Sequence, residues 1–132
     1  MIVTIDTNVI MSGIFWSGPP SSILDLWEAK KFELALTPEI IGEYYEIADI
    51  MGKKLKSYTA NQVIDLIVAN SKIYEAAPLK EQMCTDPHDD KFIACAFSSK
   101  SEFIVTGDKA LLKVDLNKKP PIIKAKTFLE IL

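Results

Sequence analysis

The sequence predicts an α/β sandwich on a mainly parallel sheet, and three observations point to it. Segments of strand and helix character alternate along the whole chain, as in crossover-connected parallel strands. The opening run Ile2-Val3-Thr4-Ile5 is almost unbroken in its apolarity, as expected of a strand covered on both faces. Two strand-like segments run out into an aspartate, Asp6 after Ile5 and Asp108 after Thr106-Gly107. Parallel sheets bind their ligands beyond the carboxyl ends of the strands, where these two acids stand.

After Asp6-Thr7-Asn8 the apolar stretch from Val9 to Phe15 leads into a loop, Trp16-Ser17-Gly18-Pro19-Pro20. A helix is expected from about Ser21 to Lys31, with Ile23, Leu24 and Trp27 at helical spacing. Phe32 to Leu36 reads as a short strand. Thr37-Pro38 then opens a helix with a cap residue and a proline at the first helical position. The helical pattern continues from about Thr59 to Ala69 through Val63, Ile64, Ile67 and Val68. Ile73 to Ala77 reads as a short strand, Asp86 to about Ser99 as a helix, Phe103 to Val105 as a strand and Lys109 to Leu112 as one helical turn. The tail offers a strand at Ile122-Ile123 and a last turn near Thr127. No repeat, low-complexity tract or linker divides the chain, so residues 1–132 are expected to form one domain with a sizeable core.

Composition narrows the function. The longest apolar runs are a handful of residues, short of the roughly 20 a membrane helix needs. The start of the chain lacks the basic and apolar segments of a signal peptide, so the expected location is the cytoplasm, with no membrane partner. Cys84 and Cys95 supply neither a disulfide framework nor paired metal-ligand spacing. Both are expected to be reduced, Cys95 as a small core residue. A net charge of −3 argues against broad electrostatic binding of nucleic acid. All fifteen basic residues are lysine, so the bidentate forks of arginine are missing. An anionic substrate must then be held by lysines, backbone N–H groups and metal. Lysines gather at Lys53-Lys54-Lys56 and at Lys118-Lys119, which read as solvated surface patches.

Four acids stand out from this background. Asp6 closes an otherwise buried strand, and Asp108 follows a glycine that lets the chain turn as its strand ends. On the helix starting at Pro38, Ile40, Glu43, Ile47 and Ile50 form one row, with Ile41, Tyr44, Ala48 and Met51 beside it. Glu43 is therefore a carboxylate set into an apolar stripe, where unpaired acids are rare. In Asp86-Pro87-His88-Asp89-Asp90, Asp86 and Pro87 make a good helix start. Asp89 shares its face with Phe92, Ile93, Ala96 and roughly Phe97 and is expected to point inward, whereas Asp90 lies about 100° further round and is expected in solvent. His88 is the lone histidine, which removes histidine-rich zinc sites and Ser-His-Asp triads.

Like charges at close range disfavour one another's ionised forms, and a bound divalent cation reverses that logic. All-carboxylate ligation suits hard ions such as Mg²⁺ or Mn²⁺ rather than zinc. With no glycine-rich triphosphate loop in the chain, such a centre at a sheet edge fits phosphodiester hydrolysis. Asn8 and Thr106 flank it as groups able to orient water or a phosphate oxygen.

The ordered set Asp6-Thr7-Asn8, Glu43-Tyr44, Asp86-Pro87-His88-Asp89-Asp90-Lys91-Phe92 and Val105-Thr106-Gly107-Asp108-Lys109 resembles the PIN-domain family. Within it, the set is most similar to the branch of toxin components of prokaryotic toxin–antitoxin modules. The resemblance spans nearly the whole chain. It implies a three-layer α/β/α fold, Mg²⁺- or Mn²⁺-dependent endoribonuclease activity on RNA, frequent homodimers and a cognate antitoxin that inserts a segment into the active groove. It also implies an acidic quartet of Asp6, Glu43, Asp89 and Asp108, as catalytic and metal-holding residues, with Asn8, Thr106 and Asp86 as auxiliaries. Two other readings stay open on the sequence alone. One is a PIN-like protein-binding or scaffold module with little or no catalysis. The other is a haloacid-dehalogenase-like phosphatase with Asp6 as nucleophile, although that family wants an aspartate where Asn8 stands.

Overall fold

A computed structural model describes residues 1–117 and 119–132; Lys118, half of one predicted lysine cluster, lies outside the described residues. The strands are β1 (Ile2–Ile5), β2 (Glu33–Leu36), β3 (Lys72–Ile73), β4 (Phe103–Val105) and β5 (Ile122–Ile123). The helices are α1 (Thr7–Phe15), α2 (Pro19–Glu28), α3 (Pro38–Leu55), α4 (Ala60–Ala69), α5 (Asp90–Ser99), α6 (Lys109–Leu112) and α7 (Ala125–Ile131). All strand pairs are parallel, in the order β3-β2-β1-β4-β5.

That order fixes where a ligand can go. The chain steps outward from β1 to β2 and β3, then jumps back to the other side of β1 to lay down β4 and β5. Right-handed crossovers in opposite directions put their helices on opposite faces of the sheet, and α5 accordingly packs on β1, β2 and β4. The reversal leaves a crevice between the carboxyl ends of β1 and β4, the position where open parallel sheets bind ligands. Val3 lies opposite Phe103 and Ile5 opposite Val105, so Asp6 and Thr106 emerge side by side. Among the described residues no helix is long and apolar enough to cross a membrane.

The structure departs from the sequence reading at several boundaries. The stretch Val9 to Phe15 belongs to α1, which starts one residue after Asp6; a short apolar run carries no clear period. Helix α2 begins at Pro19 rather than Ser21, with its prolines in the first turn, and ends at Glu28 rather than Lys31. The predicted helix from Asp86 opens instead with a 3₁₀ turn, Pro87–Asp89, before α5. Ile73 to Ala77 shrinks to Lys72–Ile73, and the last turn near Thr127 extends to a seven-residue helix. On α3 the buried row is Ile40, Tyr44, Ala48 and Gly52. Ile50 is 54% exposed and Phe97 of α5 is 43% exposed, because each lies at the edge of its helix stripe. Gly13 lets α1 and α2 close on each other, since a Cβ there would stand 2.7 Å from the Pro20 carbonyl and the Leu24 side chain.

Both cysteines are buried and unpaired in the core, and burial pushes the Cys95 thiol up to about 11. Around Cys95 a chain of buried hydroxyls joins α5 to β1. The Thr4 hydroxyl lies 2.9 Å from that of Ser101, which lies 2.7 Å from that of Ser99. Ser99 in turn donates to the Ala96 carbonyl. Thr4→Val keeps the shape but leaves Ser101 short of a partner. It is expected to cost about 1–2 kcal/mol, read as a lower urea midpoint with an unchanged slope. An unchanged midpoint would show that the hydroxyl chain contributes nothing.

Candidate metal centre

The acids reach the crevice from separate elements, Asp86 and Asp89 alone sharing one turn. Asp6 is 3% exposed and prolongs β1, its backbone N–H donating to the Val105 carbonyl at 2.9 Å. The Tyr44 hydroxyl of α3 donates to the Ile5 carbonyl at 2.6 Å, fixing that strand end from the other side. The buried Thr106 hydroxyl then ties the two strand ends together. It donates to Asp6 Oδ2 at 2.6 Å and accepts from the Asp108 backbone N–H at 3.0 Å. Asp108 Oδ1 caps α6 through the Ala110 N–H at 2.9 Å.

The 3₁₀ turn supplies the facing wall. Asp86 caps it by accepting from the His88 N–H at 3.0 Å, and Asp89 is 8% exposed at its end. One carboxylate oxygen each from Asp86, Asp89 and Asp108 lies within 4.8 Å of the others. Asp90 faces elsewhere: its carboxylate accepts from the Met83 and Cys84 backbone N–H groups, the latter at 2.8 Å, and so holds the preceding loop. His88 is exposed.

Glu43 stands apart from that three-acid group. Its Oε1 is 2.6 Å from the Lys91 ammonium of α5, and its Oε2 accepts from the Thr7 hydroxyl. Both members of the ion pair are less than a quarter exposed, at 22% for Lys91 and 23% for Glu43. Asn8 is exposed on the first turn of α1. Thr7 and Lys91 were not legible as site residues, because the Lys91–Glu43 contact spans 48 positions in sequence and leaves no local pattern. Asp86 does two jobs, capping a turn and joining the cluster, and only the first has a sequence signature.

Electrostatics decide what this centre wants. Burial first, then the neighbouring Asp108 carboxyl, with Asp6 and Asp86 behind, pushes the Asp89 carboxyl up to about 7. Asp6 is also raised, mainly by burial, against the Thr106 hydroxyl and the Asn8 N–H, which favour its ionised form. Glu43 and Asp108 add to the repulsion. A carboxyl held protonated near neutrality by burial and by other carboxyls is relieved of the carboxylate repulsion by a cation. The donor set is all oxygen, which fits Mg²⁺ or Mn²⁺.

Comparison with known proteins agrees with this architecture. A family model described as PIN domain matches residues 2–110. The uncharacterized protein MJ1680 of Methanocaldococcus jannaschii is 34% identical over 122 residues, covering 88% of this chain and 77% of that protein. The crystal structure of PAE2754 from Pyrobaculum aerophilum superposes with a TM-score of 0.68 at 19% identity, covering 99% of this chain and 94% of the other. VapBC2 from Rickettsia felis, crystallised with a DNA fragment from its promoter, has a chain that superposes with a TM-score of 0.59 at 18% identity, covering 94% and 97%. The acid-lined crevice between β1 and β4 is thus carried on a chain that belongs to the PIN domain family.

Proposed function

We propose that the protein is a Mg²⁺- or Mn²⁺-dependent endoribonuclease. The observation that carries this reading is the convergence of Asp86, Asp89 and Asp108 at the crevice, with Asp6 and Glu43 beside them. A hard divalent cation held there supplies an activated water and charge stabilisation at a scissile phosphate. Asp89, Asp108 and Asp86 would hold the ion, with Asp6, fixed by Thr106, as a further carboxylate for it. Glu43, oriented by Thr7 and Lys91, would be the carboxylate that takes the proton of such a water. The Lys91 ammonium, paired with Glu43, puts one positive charge where a phosphate must approach an acidic surface. In the same reading the chain is the toxin member of a toxin–antitoxin pair, working as a homodimer. The toxin-branch resemblance of its motifs and the likeness to a VapBC2 chain support that role.

The test is an end-labelled panel of single-stranded and hairpin RNAs incubated with the purified protein. Internal cleavage is expected with Mn²⁺ or Mg²⁺ and none with EDTA. A protein that binds Mn²⁺ but cleaves nothing in the panel would favour the scaffold reading instead.

A further inference from the structure

The polar ground at the carboxyl edge of the sheet extends past the acids. A cleft of about 500 Å³ opens beside them, lined by the start of α1 and of α2 on one side and by the start of α7 on the other. Thr106 and Asp108 line this cleft as well as the metal centre, so the two are continuous. Its other walls include Asn8, Pro20, Lys124 and Lys126. The volume falls in the range of roughly 300–1,000 Å³ that takes a single small ligand.

Charge distribution makes the cleft informative. Five acids surround the crevice and Lys91 is already paired with Glu43, so a polyanion gains little there before metal binds. The chain has no arginine, and affinity for phosphate must come from further lysines. The clusters prominent in the sequence are in the wrong place. Lys53 and Lys54 sit in the last turn of α3, about 15 Å along the helix axis beyond Glu43. Lys119 precedes β5, at the opposite edge of the sheet. Lys124 follows β5 directly and Lys126 lies two residues on, both exposed at the cleft. Among the described residues neither forms an ion pair; the pairs present are Lys53–Asp49 and Lys91–Glu43. An ammonium without a carboxylate partner is a point charge free for phosphate.

We propose that this cleft seats the nucleotide next to the scissile phosphate of a single-stranded RNA, with Lys124 and Lys126 neutralising its phosphates. The proposal rests on the nuclease reading and adds to it the path of the substrate strand. Walls on two sides favour one flexible strand over a duplex, whose second strand finds no place in a cleft of this volume. The Asn8 amide offers a neutral donor and acceptor to ribose or base, and the Pro20 ring offers a rigid apolar surface.

The test compares two double variants of equal charge change, Lys124→Glu/Lys126→Glu at the cleft and Lys53→Glu/Lys54→Glu at the end of α3. Binding of a fluorescent single-stranded RNA is measured by anisotropy at several salt concentrations with EDTA present, so that nothing is cleaved. The cleft variant is expected to lose about tenfold or more in affinity. Its slope of log K against log salt should flatten by about 1.4, two phosphate contacts at roughly 0.7 each. The α3 variant should stay within about twofold of wild type. Retention of the Mn²⁺-induced rise in melting temperature shows that the cleft variant is folded with its metal centre intact. If wild type cleaves RNA and the cleft variant binds it as tightly, or if both variants lose equally, the subsite is wrong and the nuclease reading stands. If wild type neither binds nor cleaves RNA, both fall.

Discussion

Asp89→Asn is expected to lower Mn²⁺-dependent RNA cleavage by more than about 100-fold while making the metal-free protein more stable. The floor on the activity loss comes from metal sites in general, where loss of an outer-shell partner already costs about 10–100-fold; Asp89 is assigned to the inner set. The stability gain follows from proton linkage. In the unfolded chain Asp89 ionises near its ordinary value of 3.8, whereas in the fold burial and Asp108 hold it protonated up to about 7. The folded state therefore binds more protons between those limits, and stability drains away as pH rises through them. Asparagine keeps the size and one acceptor oxygen but has no proton to lose. Melting curves of wild type and variant should coincide near pH 4 and separate by pH 8, with the variant higher. Asp6→Asn should act in the same direction, since its carboxyl is also raised by burial. Asp90→Asn is the contrast. It keeps an oxygen for the Met83 and Cys84 N–H groups and should retain most activity. A dead Asp90→Asn beside an active Asp89→Asn would reverse the assignment.

The sequence carried the fold because its elements are locally consistent. The strand Phe103–Val105, the turn Lys109–Leu112 and the Thr37-Pro38 helix start are all found where the residues put them. What it could not carry was the relation between elements. The strand order β3-β2-β1-β4-β5 turns two aspartates at strand ends into neighbours, and no periodicity encodes that order. Asp6 and Asp108 were legible because strands seldom end repeatedly on an acid, and Asp89 because the phase of α5 turns it inward. Lys91 and Thr7 were hidden, each following residues that drew attention for other reasons. Thr106 reads as a β-branched strand residue, and only the fold shows its hydroxyl tying Asp6 to the Asp108 backbone. Lysine clustering in sequence pointed away from the crevice, since Lys124 and Lys126 reach it through the position of β5 rather than through their own spacing.

Millimolar Mn²⁺ is expected to raise the melting temperature of the wild-type protein. An ion that binds only the folded arrangement stabilises it by about 2.7 kcal/mol at a hundredfold excess over its dissociation constant. Mg²⁺ should need a higher concentration for the same shift, because it dehydrates reluctantly and lies lower in the divalent affinity order. The shift should also depend on pH. Binding must displace the proton that Asp89 keeps up to about 7, so affinity should weaken below neutrality, by up to about tenfold per pH unit for one displaced proton. Asp108→Asn, which removes a member of the three-acid cluster, should abolish most of the shift. Glu43→Gln should shrink it by a different route. It leaves the Lys91 ammonium, now 2.6 Å from Glu43, without its partner and free to repel the ion. Glu43→Gln/Lys91→Met removes that charge and should recover part of the shift, a coupling a double-mutant cycle measures directly. Equal shifts in Glu43→Gln with and without Lys91 would mean that the pair lies outside the field of the ion. No shift in wild type at any pH between 6 and 8 would remove the metal centre itself, and with it the chemistry assigned to the five acids.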